Sequence, residues 1–252
     1  MRKNALRAAI LCLLLALLSC VCVGCGSDTP DTPPAPPSPP DTEQTQHSPL
    51  YLPDVSVEDV LLYFSEVCLD AEITNSGNPN RLQKWDVPIY YWPSGDYTDA
   101  DLTVLDGFAS WLNTVEGFPG IYKTENPLQA NLHIYFCLPQ EMVSQMGDWT
   151  ENLDGAVTFY YNNDRIYQAT VCCRSDIDQQ IRNSVILEEI YNGLGPIQDT
   201  DLRSDSIIFS GYSTPQHLTA VDELLLRLLY HPQLTCGMDI TACESAIRQL
   251  YY

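Results

Sequence analysis

The stretch that decides the reading of this chain is Glu188-Glu189-Ile190-Tyr191-Asn192-Gly193-Leu194-Gly195-Pro196-Ile197-Gln198. Together with Val185, Ile186 and Leu187 before it, the spacing predicts a helix that starts at Asp176 or Asp178. Gly195-Pro196 then stops it, a glycine being easily placed after the last turn and a proline being unable to continue it. Glu188 and Asn192 stand one turn apart, so they share a face. Glu189 lies about 100° further round the axis and can project into the same cleft. Carboxyls set among Val185, Ile186, Leu187, Ile190 and Leu194 have their pKa raised by desolvation, a property a general base uses. Two readings follow. In one, Glu188 and Glu189 belong to a partly solvated helix face and Asn192 helps end the helix. In the other, Glu189, Glu188 and Asn192 are the candidate catalytic residues of a polar site, with Glu189 as the base.

The same residues resemble a zinc-protease helix from which the ligands have been exchanged. A zincin helix reads H-E-x-x-H, and the metzincin form adds a glycine and a third histidine, H-E-x-x-H-x-x-G-x-x-H. Here the ligand positions hold Glu188, Asn192 and Gln198, while Glu189 and Gly195 match the base and the turn glycine. The run T-A-V-D-E-L-L-L-R-L-L-Y-H, Thr219 to His231, resembles the helix that follows the active-site helix in metzincins. A-N-L-H-I-Y-F-C-L, Ala130 to Leu138, resembles their edge strand over the cleft. The span from Arg81 to Met238 also resembles an uncharacterised bacterial family, domain of unknown function 2927. In that family a helix like Val185 to Gly195 and a segment like Leu225 to Met238 recur.

The resemblance implies a zincin-like single domain over residues 51–252, and it implies no activity, since the family has none assigned. One carboxylate and two carboxamides are a poor zinc set beside three imidazoles. They suit calcium or magnesium better, but those ions ask for more carboxylates and a flexible loop. The expectation is therefore no metal and no cofactor.

Around that helix the chain reads as α+β, a twisted mixed sheet packed by helices. Ser56-Val57-Glu58-Asp59 opens a first helix with a capping-box pattern, and Thr98 to Asp101 opens a second that runs to about Val115. Strand-like runs lie at 87–92, 131–138, 155–161 and 165–173, the last two joined by Asn162-Asn163-Asp164 as a hairpin. Thr219 and Thr241 are the expected caps of two final helices.

The N-terminus carries Arg2, Lys3 and Arg7, then an apolar run from Ala8 to Leu18. That is a secretory signal, shorter than the ~20 apolar residues of a membrane-spanning helix. It ends in S-C-V-C-V-G-C-G-S, which resembles a lipoprotein signal. Cys25, between Gly24 and Gly26, is the expected lipid-attachment residue, and Cys20 is the rival. Residues 1–25 are thus read as signal peptide. Residues 26–50 hold 8 of the 18 prolines and read as a disordered Pro-rich tether. At about 3.1 Å per residue it reaches on the order of 70 Å from its anchor. The chain is placed on the extracytoplasmic side of the cell membrane, held by the lipid.

Removing three basic and no acidic residues turns a net charge of −21 into −24. That sign opposes nucleic acid and anionic headgroups as ligands. Acidity of this kind keeps an exported protein soluble and is compatible with cationic partners. The domain's six cysteines, Cys68, Cys137, Cys172, Cys173, Cys236 and Cys243, permit disulfides in an exported protein. Cys236–Cys243 is the most plausible local pair, and buried free thiols are the alternative. Cys172 and Cys173 point to opposite faces if they lie on a strand. His133, His217 and His231 have no ligand spacing. Tyr90, Tyr91, Trp92, Tyr97, Trp149, Phe159, Tyr160 and Tyr161 are either strand packing or the lining of a peptide or glycan groove.

The expected function is a binding or structural module of the cell envelope with a cell-wall or peptide ligand. The alternatives are a peptidase-like hydrolase that uses Glu189 with an atypical metal or none, and a solute- or wall-binding lipoprotein whose ligand sits in the aromatic groove.

Overall fold

The computed structural model describes residues 48–69 and 80–252. The signal segment with Cys20 and Cys25, and residues 26–47 of the tether, lie outside them. Among the described residues no helix is long and apolar enough to cross a membrane. The packed chain already includes Ser48, whose hydroxyl donates to the carbonyl of Leu250.

A six-stranded sheet organises the molecule. Its centre is three parallel strands: β2 (Ile89–Gly95), β4 (Leu132–Cys137) and β6 (Arg165–Arg174), in the spatial order β2-β4-β6. The short β3 (Ile121–Lys123) is parallel to β2 on its outer side, and β1 (Lys84–Trp85) pairs with Arg165 and Ile166 at the start of β6. β5 (Gly155–Asn162) runs antiparallel along β6 and pairs with no other strand among the described residues. Its turn to β6 puts Asn163 and Asp164 at φ 50° and 62°. Two positive φ values in a two-residue loop match the twist of the strands they join. The sheet is mixed and packed by helices, as an α+β reading requires.

Ala130–Leu138 is not an edge strand, contrary to the expectation from resemblance. β4 is flanked by β2 and β6. The near-continuous apolar run L-H-I-Y-F-C suits a parallel strand covered on both faces. The edge beside the Glu188–Glu189 helix is β5.

The helices are α1 (Val57–Leu69), α2 (Asp99–Leu112), α3 (Pro139–Met146), α4 (Gln179–Gly193), α5 (Ala220–Tyr230) and α6 (Ile240–Tyr251). Thr98–Asp101 and Thr219–Asp222 form reciprocal capping boxes on α2 and α5. α6 starts earlier than expected: Asp239, not Thr241, caps it, accepting from the amide of Ala242 at 2.9 Å. α3 was not anticipated. Pro139 opens it and Glu141 turns back to accept from the amide of Leu138 at 2.9 Å.

All six domain cysteines are free. The expected Cys236–Cys243 bridge does not form because the two thiols face different surroundings. Cys236 Sγ lies against the carbonyl of Lys84 at 3.6 Å, whereas Cys243 is buried in the main core. Cys172 and Cys173 do face opposite sides of β6: Cys173 joins the main core, and Cys172 joins Cys137 and Met142 under α3.

Three sets of bonds fix α4. At its first turn Arg182 forms a buried ion pair with Asp101 of α2 at 2.8 Å and donates to the carbonyl of Ser175 at 2.7 Å. In its last turn, the Tyr191 hydroxyl donates to the carbonyl of Asp222 at 2.9 Å. At the C-terminus, the Trp85 indole donates to the carbonyl of Gly193 at 2.9 Å, and the Tyr230 hydroxyl to that of Leu194 at 2.7 Å. Those carbonyls have no helical donor, so side chains supply one. Gly195, at φ 131°, then turns the chain out against the backbone of Gln83, where a Cβ would stand 2.6 Å from the carbonyl oxygen.

Candidate functional site

β5 and α4 enclose a cleft of about 370 Å³. Its floor is α4 and its wall is the first residues of β5, with the 209–213 loop and Trp149 at the mouth. That volume accommodates a few side chains or a short peptide segment.

All three predicted site residues, Glu188, Glu189 and Asn192, line this cleft. Glu189 is the deepest at 8% exposure, and Glu188 is partly buried above it. The 100° offset therefore does not separate them, because the edge of β5 lies close enough to α4 for both to reach one space. Two glycines make that approach possible: a Cβ at Gly155 would meet Val185 and Glu189, and one at Gly193 would stand 3.2 Å from Val157.

Gln198 does not line the cleft; its neighbour Asp199 does. Asp199 accepts from Asn192 Nδ2 at 3.2 Å. Gln198 is instead tucked away, with its Oε1 buried and lacking a donor. The register after Gly195 is thus one residue longer than the resemblance implied. Asp154, just before β5, also lines the cleft and pairs with Arg174 at 3.0 Å. Neither aspartate was picked out in advance. Both lie in turns, where an acidic residue carries no periodic signal.

The electrostatics are one-sided. Among the described residues no Lys, Arg or His lines the cleft. Burial raises Glu188 to about 8, helped by the negative charges of Asp199 and Asp154. Burial also pushes Glu189 well above the ordinary carboxylate range, with Glu188 and Asp199 adding to it. Among the described residues neither glutamate has a hydrogen-bond partner. Asn192 Oδ1 is buried without a donor as well.

His133 sits on β4, where it stacks with Tyr135 and meets Trp92 edge-on. His217 and His231 are likewise outside the cleft. The aromatic residues do not form one groove. Tyr90 packs on Tyr122, Trp92 on His133 and Tyr135, and Tyr97 on Phe136. Trp149 alone of that set borders the cleft, joined there by Phe209 and Tyr212.

The donor set does not fit zinc. The cleft offers carboxyl and carboxamide oxygens where the zincin pattern has imidazoles. Among the described residues no three of His, Cys, Asp and Glu come together closely enough to share an ion.

With the geometry in view, the comparison with known families is direct. The model of a protein family of unknown function, DUF2927, matches residues 58–249. The chain belongs to the DUF2927 family. The match runs from α1 through most of α6 and so includes the whole cleft. None of the curated proteins matches this family member.

Proposed function

We propose that this chain is a lipid-anchored protein of the extracytoplasmic face of the cell membrane, with a zincin-like domain that binds a ligand in the β5–α4 cleft and does not cleave it. Support for the zincin reading comes from the placement of an antiparallel edge strand beside the helix that carries Glu189. The ligand would be a peptide or cell-wall segment lying along β5, whose outer edge pairs with no other strand among the described residues. An extended chain gains main-chain hydrogen bonds on such an edge and specificity from alternate side chains.

One observation carries the non-catalytic reading: Glu188 and Asn192 line the cleft where the zincin pattern has imidazoles, and its described lining holds no His. The alternative, a peptidase-like hydrolase with Glu189 as base, draws on the position of that residue beneath β5.

The two are separated by purifying the mature chain, measuring its metal content, and assaying peptide hydrolysis beside Glu189→Gln. Unchanged, negligible turnover in both proteins is expected. Turnover lost in the variant would establish the hydrolase. Anchoring is tested by growing cells with labelled fatty acid. Cys25→Ala should abolish incorporation, and Cys20→Ala should leave it intact.

A further inference from the structure

The cleft contains a surplus of hydrogen-bond acceptors and no matching positive charge. Glu189 is 92% removed from solvent by its 8% exposure, lines the cleft, and meets no donor. Its carboxyl oxygens keep contact with the solvent of the cleft, so a donor from outside the protein can reach them. Glu188 above it is also without a partner. Asn192 spends its amide on Asp199 and leaves Oδ1 buried and unbonded. Asp199 and Asp154 add negative potential at the rim, and Arg174, the cation paired with Asp154, does not line the cleft.

We propose that the cleft receives a cationic side chain of its ligand, a guanidinium or ammonium group on a flexible stem, with Glu189 and Glu188 as its counter-charges. The proposal rests on the peptide-binding reading above and specifies its ligand. Two features favour an organic cation over a metal ion. The acidic groups are too dispersed for any three to share one ion. A guanidinium, with five N–H donors spread over a plane, bridges acceptors several ångströms apart, as a bare ion at about 2.0–2.6 Å from its ligands cannot. The mouth is also aromatic. Trp149, Phe209 and Tyr212 line it, and the Trp149 ring is held by its indole donating to the carbonyl of Met146 at 2.7 Å. Aromatic faces pack the aliphatic stem of Lys or Arg and attract its charge.

The test uses the mature chain and four capped pentapeptides, Ala-Ala-Xaa-Ala-Ala, with Xaa arginine, lysine, citrulline or norleucine. Binding is followed by NMR at millimolar peptide and low ionic strength. The arginine or lysine peptide should bind at least about tenfold more tightly than its neutral counterpart, and Glu189→Gln should erase that preference while remaining folded by circular dichroism. The stronger of the two cationic peptides identifies which head group the cleft prefers. Equal binding of charged and neutral peptides would overturn the cationic assignment and leave the binding module standing. No binding by any of the four would sink the peptide-cleft reading itself. Retention of the preference in Glu189→Gln would place the cation elsewhere and overturn the proposal. Calcium chloride binding that Glu189→Gln abolishes would reassign the cleft to a divalent ion.

Discussion

Gly155 and Glu189 are in direct packing contact: a methyl group at Gly155 would stand 2.8 Å from Glu189 Oε1 and 2.3 Å from Val185 Cγ1. The missing side chain on the edge strand is what brings the α4 carboxyl under β5, so the cleft depends on a glycine outside the helix that carries its polar groups.

Gly155→Ala is therefore expected to destabilise the domain by about 1–3 kcal/mol, the usual cost of overpacking. Urea denaturation measures it. Because the closest contact is to a side chain, Val185→Ala in the same molecule should recover part of the loss. A Gly155→Ala protein as stable as the parent would show that β5 and α4 are not closely packed.

The two glutamates predict an inverted pH dependence. Each has a folded-state pKa above its unfolded value, so the folded state binds more protons, and stability falls as pH rises. The contribution is fully present below about pH 4.3 and is lost by the time pH passes about 8 for Glu188. The groups that set this around Glu189 are Glu188 and Asp199, with Cys172 and Cys173 of β6 also feeling its charge. Asp176 and Glu58 are held low by Arg174 and Arg248, and they act with the opposite sign only at more acidic pH. Thermal unfolding between pH 5 and 8.5 should show Glu188→Gln and Glu189→Gln gaining on the parent as pH rises. The gain should be largest at the alkaline end. Parallel curves for parent and variants would refute the raised pKa values.

The Asp101–Arg182 pair makes a third prediction. Asp101 is fully buried, and it receives Arg182 Nε at 2.8 Å, Gln179 Nε2 at 2.6 Å and the amide of Thr98 at 2.7 Å. It at once completes the α2 capping box with Thr98 and anchors α4. Replacing Arg182 by Met strands a buried negative charge, which costs about 3–5 kcal/mol. The double variant with Asp101→Asn should be less damaged than the sum of the two singles. Strict additivity in chemical denaturation would mean the two residues do not interact.

Much of this architecture is written locally. T-D-A-D and T-A-V-D announce α2 and α5, because a side-chain oxygen and an acid three residues on satisfy the free amides of a first turn. The Asn-Asn-Asp turn announces the β5–β6 hairpin. Other parts depend on distant partners. β1 and β3 are two and three residues long, and they exist as strands only because β6 and β2 lie beside them. That β4 is central and β5 is the edge follows from sheet order, which no local period encodes. The site was half legible. Spacing put Glu188 and Asn192 on one face, but only the fold shows that Asp199, not Gln198, reaches it and that Gly155 makes room for Glu189.

Trp149 offers a check on the cleft before any ligand is known. The residue is 56% exposed and borders the cleft. The other three tryptophans are less exposed: Trp85 is buried, and the half-buried Trp92 and Trp111 pack on His133 and Tyr135 and on Phe108. Acrylamide quenches indoles that it can reach, so Trp149→Phe should remove most of the readily quenched emission, and Trp92→Phe should remove little. A ligand that enters between β5 and α4 should then protect Trp149 and leave the remaining emission unchanged. Protection that persists in Trp149→Phe would locate the ligand on another face, near Trp92 or Trp111, and would exclude the cleft as the binding site.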